Sequence, residues 1–88
     1  MISDPRGNWC IHYCKISDPN TWNTMKLQRS DGVIVSAKTY DEVFKFVNYK
    51  DAWNFAKSII TTEPEQKYDA EVRRVCRTGE NLFYLSGN

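Results

Sequence analysis

The sequence has no apolar run approaching the ~18 residues that a membrane-spanning helix needs, so a helical span is excluded. Its opening stretch, MISDPRGN, places Asp4 and Pro5 where a secretory leader would be apolar. The expectation is therefore a protein that stays in the cytoplasm where it is made. An excess of either charge is also missing: 12 basic residues stand against 11 acidic ones, and the net charge of +1 is spread evenly along the chain. A binder of duplex DNA would need a basic stripe to collect phosphates, and a DNA mimic would need a large acidic excess. The three cysteines are an odd number without an export signal, which excludes a disulfide frame and predicts free thiols. There is no linker, repeat or low-complexity tract, so residues 1–88 form a single domain.

Histidine is nearly absent, His12 being the only one. Cys10, His12 and Cys14 alternate on one face of a strand, and Cys76 lies near the end of another, which brings a zinc site to mind. Extended residues four apart stand roughly 13 Å from one another, too far for thiolates that must nearly touch around one metal. Neighbours on one strand face also rarely reach the ~3 Å that a nucleophile and its base require, and the sequence places no Asp or Asn to orient the imidazole. Asp41, Glu42, Glu63 and Glu65 sit where caps and turns put acids anyway. No catalytic residue, cofactor or metal is expected.

Large rings are what the chain has in quantity. Aromatic residues make up 14% of it: Trp9, Tyr13, Trp22, Tyr40, Phe44, Phe46, Tyr49, Trp53, Phe55, Tyr68, Phe83 and Tyr84. A domain of this size buries only about 60–65% of its unfolded surface, so some rings must stand at the surface, where partner contacts use them.

The elements follow from period and punctuation. WCIHYCKI (9–16) predicts a strand with SDPN as the turn after it. TMKLQRSDGVIVSAKTY (24–40) predicts a hairpin, with Asp31-Gly32 as a type I′ turn and Val33, Val35 and Ala37 on one face. FKFVNYKDAWNFAKSII (44–60) allows two readings. Thr39 and Glu42 form a capping box for one long helix, or EVFKFV is a strand and Asn48 caps a shorter helix. The second suits Phe-x-Phe-Val better. Both keep a helix over about 49–61, with the stripe Ala52, Phe55, Ala56, Ile59 and Ile60 as core. TTEPEQ ends it, KYDAEVRRVC (67–76) is a strand with Tyr68, Ala70 and Val72 on one face, and LFYL is a last short strand. The expected fold is α+β in two layers: an antiparallel sheet of four to six strands with one principal helix on one face.

The expected function is binding without catalysis. Tyr and Trp anchors are what interface hot spots favour, which selects Trp22, Tyr49, Trp53 and Arg74 as contacts, with Arg29 and Asp31 at the hairpin tip as rim. EVFKFVNY resembles the octamer of the RNA-recognition motif at Phe44, Phe46, Val47 and Tyr49. That resemblance implies a ring pair on an open sheet face that stacks single-stranded bases, with Lys38, Lys45 and Arg74 at the backbone. Glu42, Val43 and Lys45 depart from the octamer. A third reading is self-association through an exposed sheet edge, giving a homodimer or an assembly component. In overall layout, a short polar start, a Trp-bearing strand, a long hairpin and FKFVNYKDAWNFAKSI, the chain resembles short single-domain proteins encoded by bacteriophages. This layout implies a host-side or defence-protein partner that is bound and disabled, as by RNA-polymerase inhibitors and anti-CRISPR proteins.

Overall fold

The computed structural model describes residues 8–60 and 67–86. In chain order these form β1 (Trp9–Lys15), β2 (Asp18–Gln28), β3 (Ile34–Ser36), a 3-10 turn (Tyr40–Glu42), α1 (Tyr49–Ile60), β4 (Tyr68–Thr78) and β5 (Leu82–Ser86). The strands make one antiparallel five-stranded sheet in the order β3-β2-β1-β4-β5, and α1 packs over β4 and β1. This is the expected α+β class. The helix stop expected at 61–66 lies outside the described residues.

Strand β1 is central because it is apolar on both faces. Ile11 and Tyr13 point toward α1 and join Met25, Ile34, Ala52, Ala56, Ile59, Tyr68, Ala70 and Val72 in the main core. Cys10 points the other way and meets Tyr40, Val43 and Val75, with Ala37, Phe83 and Leu85 against them. The sheet therefore carries apolar packing on both sides, the helix covering one and the 37–43 segment part of the other. As expected, Tyr68, Ala70 and Val72 share the helix face.

The connection between those two layers was not foreseen. The β1–β2 ladder runs from Lys15–Asp18 to His12–Thr24 and stops. Beyond it, Phe44 N–H donates to the Met25 carbonyl at 3.1 Å, while Trp9 and Phe46 exchange both backbone hydrogen bonds at 2.8 and 2.7 Å. Residues 44–46 thus bond to β2 and to β1, and carry the chain from the Cys10 side of the sheet to the helix side. Neither expected reading of 40–48 holds in full. Thr39 makes no side-chain cap and starts only the short 3-10 turn, so there is no long helix. EVFKFV is no strand either, being reduced to the single Trp9–Phe46 bridge.

The shorter helix with Asn48 as cap is observed. Asn48 Oδ1 accepts from Lys50 N–H at 2.7 Å and Asp51 N–H at 3.3 Å, satisfying two of the donors that a helix start leaves free.

Two turn details differ from expectation. The β1–β2 turn is Ile16-Ser17, and Asp18 already pairs with Lys15; Pro19, Asn20 and Thr21 bulge out of the ladder, where a missing N–H costs nothing. The second hairpin is placed correctly, but only Gly32 has positive φ, at 91°. Gly32 N–H donates to Arg29 O at 2.9 Å and Arg29 N–H to Val33 O at 2.8 Å. That is a three-residue loop, a type I turn followed by a left-handed glycine, in place of type I′. In β3 it is Ile34 that faces the core while Val33 is exposed, because an irregularity between Met25 and Leu27 shifts the β2–β3 register by one residue.

Candidate functional site

Two ring clusters meet where α1 begins. In the first, Tyr49 lies edge-on to Trp9 at 4.7 Å between centroids and to Trp53 at 6.4 Å. Arg74, the cross-strand neighbour of Trp9, places its guanidinium 4.7 Å from that ring, a cation–π contact. In the second, Phe44, Phe46 and Phe55 pack together, with Phe44–Phe46 at 4.9 Å and Phe46–Phe55 at 5.7 Å. The Trp9–Phe46 bridge joins the clusters.

The edge of this assembly faces solvent. Phe44 is 44% exposed, Val47 83% and Tyr49 40%, all within six residues of chain. A residue just before the helix cap usually staples to the fourth helical position. Here that position is Ala52, buried and too short to meet it, which leaves Val47 outside. The backbone beneath is fixed at Phe44, Phe46 and Asn48 by the hydrogen bonds already described, so the apolar surface sits on a braced support.

The expected contact residues do not form one surface. Tyr49, Trp53 and Arg74 converge. Trp22 lies on the opposite sheet face, donating Nε1–H to Pro19 O at 2.9 Å and tilted against His12 at 5.1 Å. Arg29 and Asp31 form an ion pair with each other at the hairpin tip, 3.1 Å apart and well exposed. Among the stacking candidates, Phe46 is half-buried against Phe55 while Phe44 is open. The two rings incline to each other by 46° instead of offering parallel platforms. Lys38 is exposed. Lys45 turns inward, donating to Tyr40 O at 2.6 Å and Val43 O at 3.2 Å with its ammonium 4.2 Å from the Tyr40 ring centre. Burial pulls its pKa below the usual lysine value.

The opposite face holds a polar group that only strand pairing assembles. The β1–β4 register sets His12 beside Glu71, and His12 Nδ1 and Glu71 Oε2 are 2.8 Å apart. Arg73 Nη1 donates to the same oxygen at 3.0 Å and its Nε–H to Ser86 O at 3.0 Å. Burial pushes the Glu71 pKa up, but the hydrogen bonds from His12 and Arg73 outweigh it, and the net shift is downward. The imidazole is thus held by a glutamate that strand pairing brings to it, where the sequence placed no Asp or Asn. The neighbouring thiols are not activated: burial pushes Cys10 up to about 12 and also raises Cys14, whereas a nucleophilic cysteine needs a lowered pKa. Among the described residues no group of three His, Cys, Asp or Glu could hold a metal ion. An open concavity of about 440 Å³ has no carboxylate or imidazole among its described lining residues, Lys15, Ile16, Ser17, Lys67 and Tyr68.

Trp9, Val47 and Phe55 belong to the ring assembly although the sequence reading did not select them. Phe55 and Val47 are within reach of local spacing from Tyr49; Trp9 is brought there only by strand pairing. No family model, no curated protein and no solved structure matches the chain.

Proposed function

We propose that the chain is a protein-binding module whose contact surface is the exposed strip Phe44, Val47 and Tyr49, backed by Trp9, Trp53 and Arg74. The observation that carries this reading is the exposure of those three apolar residues on a backbone held by β1, β2 and a capped helix. Rigid anchors lose little entropy on binding, and aromatic anchors beside an arginine are the composition of hot spots. The resemblance in layout to phage-encoded proteins makes a host or defence protein the partner to test first, in the role of an inhibitor that masks its surface. Stacking of single-stranded nucleic acid is supported less, since Phe46 and Lys45 are engaged within the fold.

The test is capture of partners by the full chain and by Tyr49→Ala and Val47→Ser, followed by titration of the retained protein. Loss of Tyr49 is expected to weaken binding by at least about 2 kcal/mol, roughly thirtyfold, with the far-UV spectrum unchanged. Trp22→Ala, on the other face, leaves affinity as it was. A partner that binds both strip variants as tightly as the parent chain overturns the proposal.

A further inference from the structure

The two edges of the sheet are not alike. Strand β3 is three residues long, and the stretch of β2 behind it is irregular at Lys26, features that blunt an edge. Strand β5, Leu82–Ser86, pairs with β4 in unbroken register and carries no charge, proline or bulge. Helix α1 lies over β4 and β1 and stops short of β5, so Leu82 is 61% exposed and Tyr84 55%. Among the described residues no strand pairs with the outer side of β5.

Backbone parity decides which groups look outward. Val75 N–H donates to Asn8 O at 3.0 Å, toward the β1 side. By alternation Arg74 and Cys76 bond toward β5, and their partners Ser86 and Tyr84 bond inward. Phe83 and Leu85 therefore present N–H and C=O outward. Asn81 shares that parity, and its carbonyl is indeed taken from outside, by Tyr40 N–H at 2.9 Å. The open stretch runs from Leu82 onward.

We propose that β5 pairs with β5 of a second copy, antiparallel about a twofold axis through Tyr84. In that register Phe83 N–H meets Leu85 O, Leu85 N–H meets Phe83 O, and the axis repeats both bonds. Tyr84 faces Tyr84 at a non-hydrogen-bonded site, Cβ atoms about 5 Å apart, and Leu82 faces Ser86. No charge lies within the strand, so nothing repels. A shift of one residue would set outward-bonding groups opposite inward-bonding ones and lose the bonds, and an axis through Phe83 or Leu85 would keep only one exchanged pair within the strand, so the Tyr84 axis makes the most bonds. The contact is isologous and closes as a dimer. It stands apart from the Phe44–Tyr49 strip and does not rest on it.

Sedimentation equilibrium of the full chain from micromolar to millimolar concentration is expected to show a reversible rise from monomer to dimer mass. Tyr84→Lys sets two ammonium groups opposite each other and should raise the dissociation constant roughly a hundredfold. Tyr84→Glu should do the same alone, and an equimolar mixture of the two should reassociate. Phe44→Ser should leave self-association unchanged. If circular dichroism shows either Tyr84 variant unfolded, Leu82→Lys replaces it, with an expected weakening of about tenfold. A chain that is monomeric throughout, a dimer indifferent to these charges, or a Lys/Glu mixture that stays monomeric overturns the proposal.

Discussion

Cys10 is enclosed on a central strand, with Tyr40, Val43 and Val75 packed on it, and its thiol can ionise only at the cost of placing a charge there. Burial, with the Cys76 thiol adding to it, outweighs the pull of Arg73 and Lys45 and raises the pKa from 9.0 to about 12. The unfolded chain loses this proton first, so the stability contributed is fully present below pH 9 and is lost as pH rises toward 12. A shift of that size corresponds to ~4 kcal/mol. Thermal melting should therefore fall steeply across this window, and Cys10→Ala should flatten the fall; an equally steep limb in the variant would refute the assignment. Lys45 acts in the opposite sense. Its folded pKa is lowered by burial, so the stability tied to it grows as pH rises through that lowered value toward 10.5. Lys45→Met should accordingly steepen the alkaline fall, while costing about 1–3 kcal/mol at neutral pH because the Val43 carbonyl loses its Lys45 donor and the Tyr40 carbonyl keeps only the Val43 N–H.

At the scale of elements, two local devices set where chain segments begin and turn. Asn48→Ala leaves the first amides of α1 without an acceptor and should cost ~1 kcal/mol in urea denaturation. Gly32 at φ 91° has open space where a Cβ would stand, so Gly32→Ala should cost about 1–2 kcal/mol through backbone strain alone. Gly32→Asn should cost less, since asparagine tolerates that region. Both devices were legible in the sequence because their chemistry is local: Asn before an apolar period of 3.6, and Asp-Gly between extended runs. Turn type was less so, for both two- and three-residue loops want glycine there. Which side of β3 faces the core was not legible, because the irregularity beside Lys26 lies in the partner strand. Residues 43–48 were misread for a related reason. Their hydrogen bonds go to Met25 and Trp9, which no local pattern announces. The candidate surface divides in the same way, since Tyr49 and Trp53 share a helix face by spacing, whereas Trp9 and Arg74 join them only through the β1–β4 register.

For the whole molecule, the question is whether packing on the two faces of the sheet stands or falls together. The main core lies under α1, and the smaller cluster of Cys10, Tyr40, Val43 and Val75 lies on the opposite face. They share β1 and β4, whose alternate residues serve each in turn, and they share the 44–46 crossing, which bonds to β1 and β2 at once. Loosening the Val75 side should free Tyr40 and Val43, then the crossing that follows them, and with it the start of α1. One cooperative transition is expected. Ile59→Ala on the helix side should cost about 2–5 kcal/mol, and Val75→Ala on the other of order 2 kcal/mol. Both should shift the same transition, followed through tryptophan fluorescence (Trp9 and Trp53 report the helix face, Trp22 the other) and through far-UV ellipticity. If Val75→Ala instead split the curves, with part of the fluorescence change preceding loss of ellipticity, the smaller cluster would be melting alone. The crossing would then be a passive connection rather than the link that makes the two faces one folding unit.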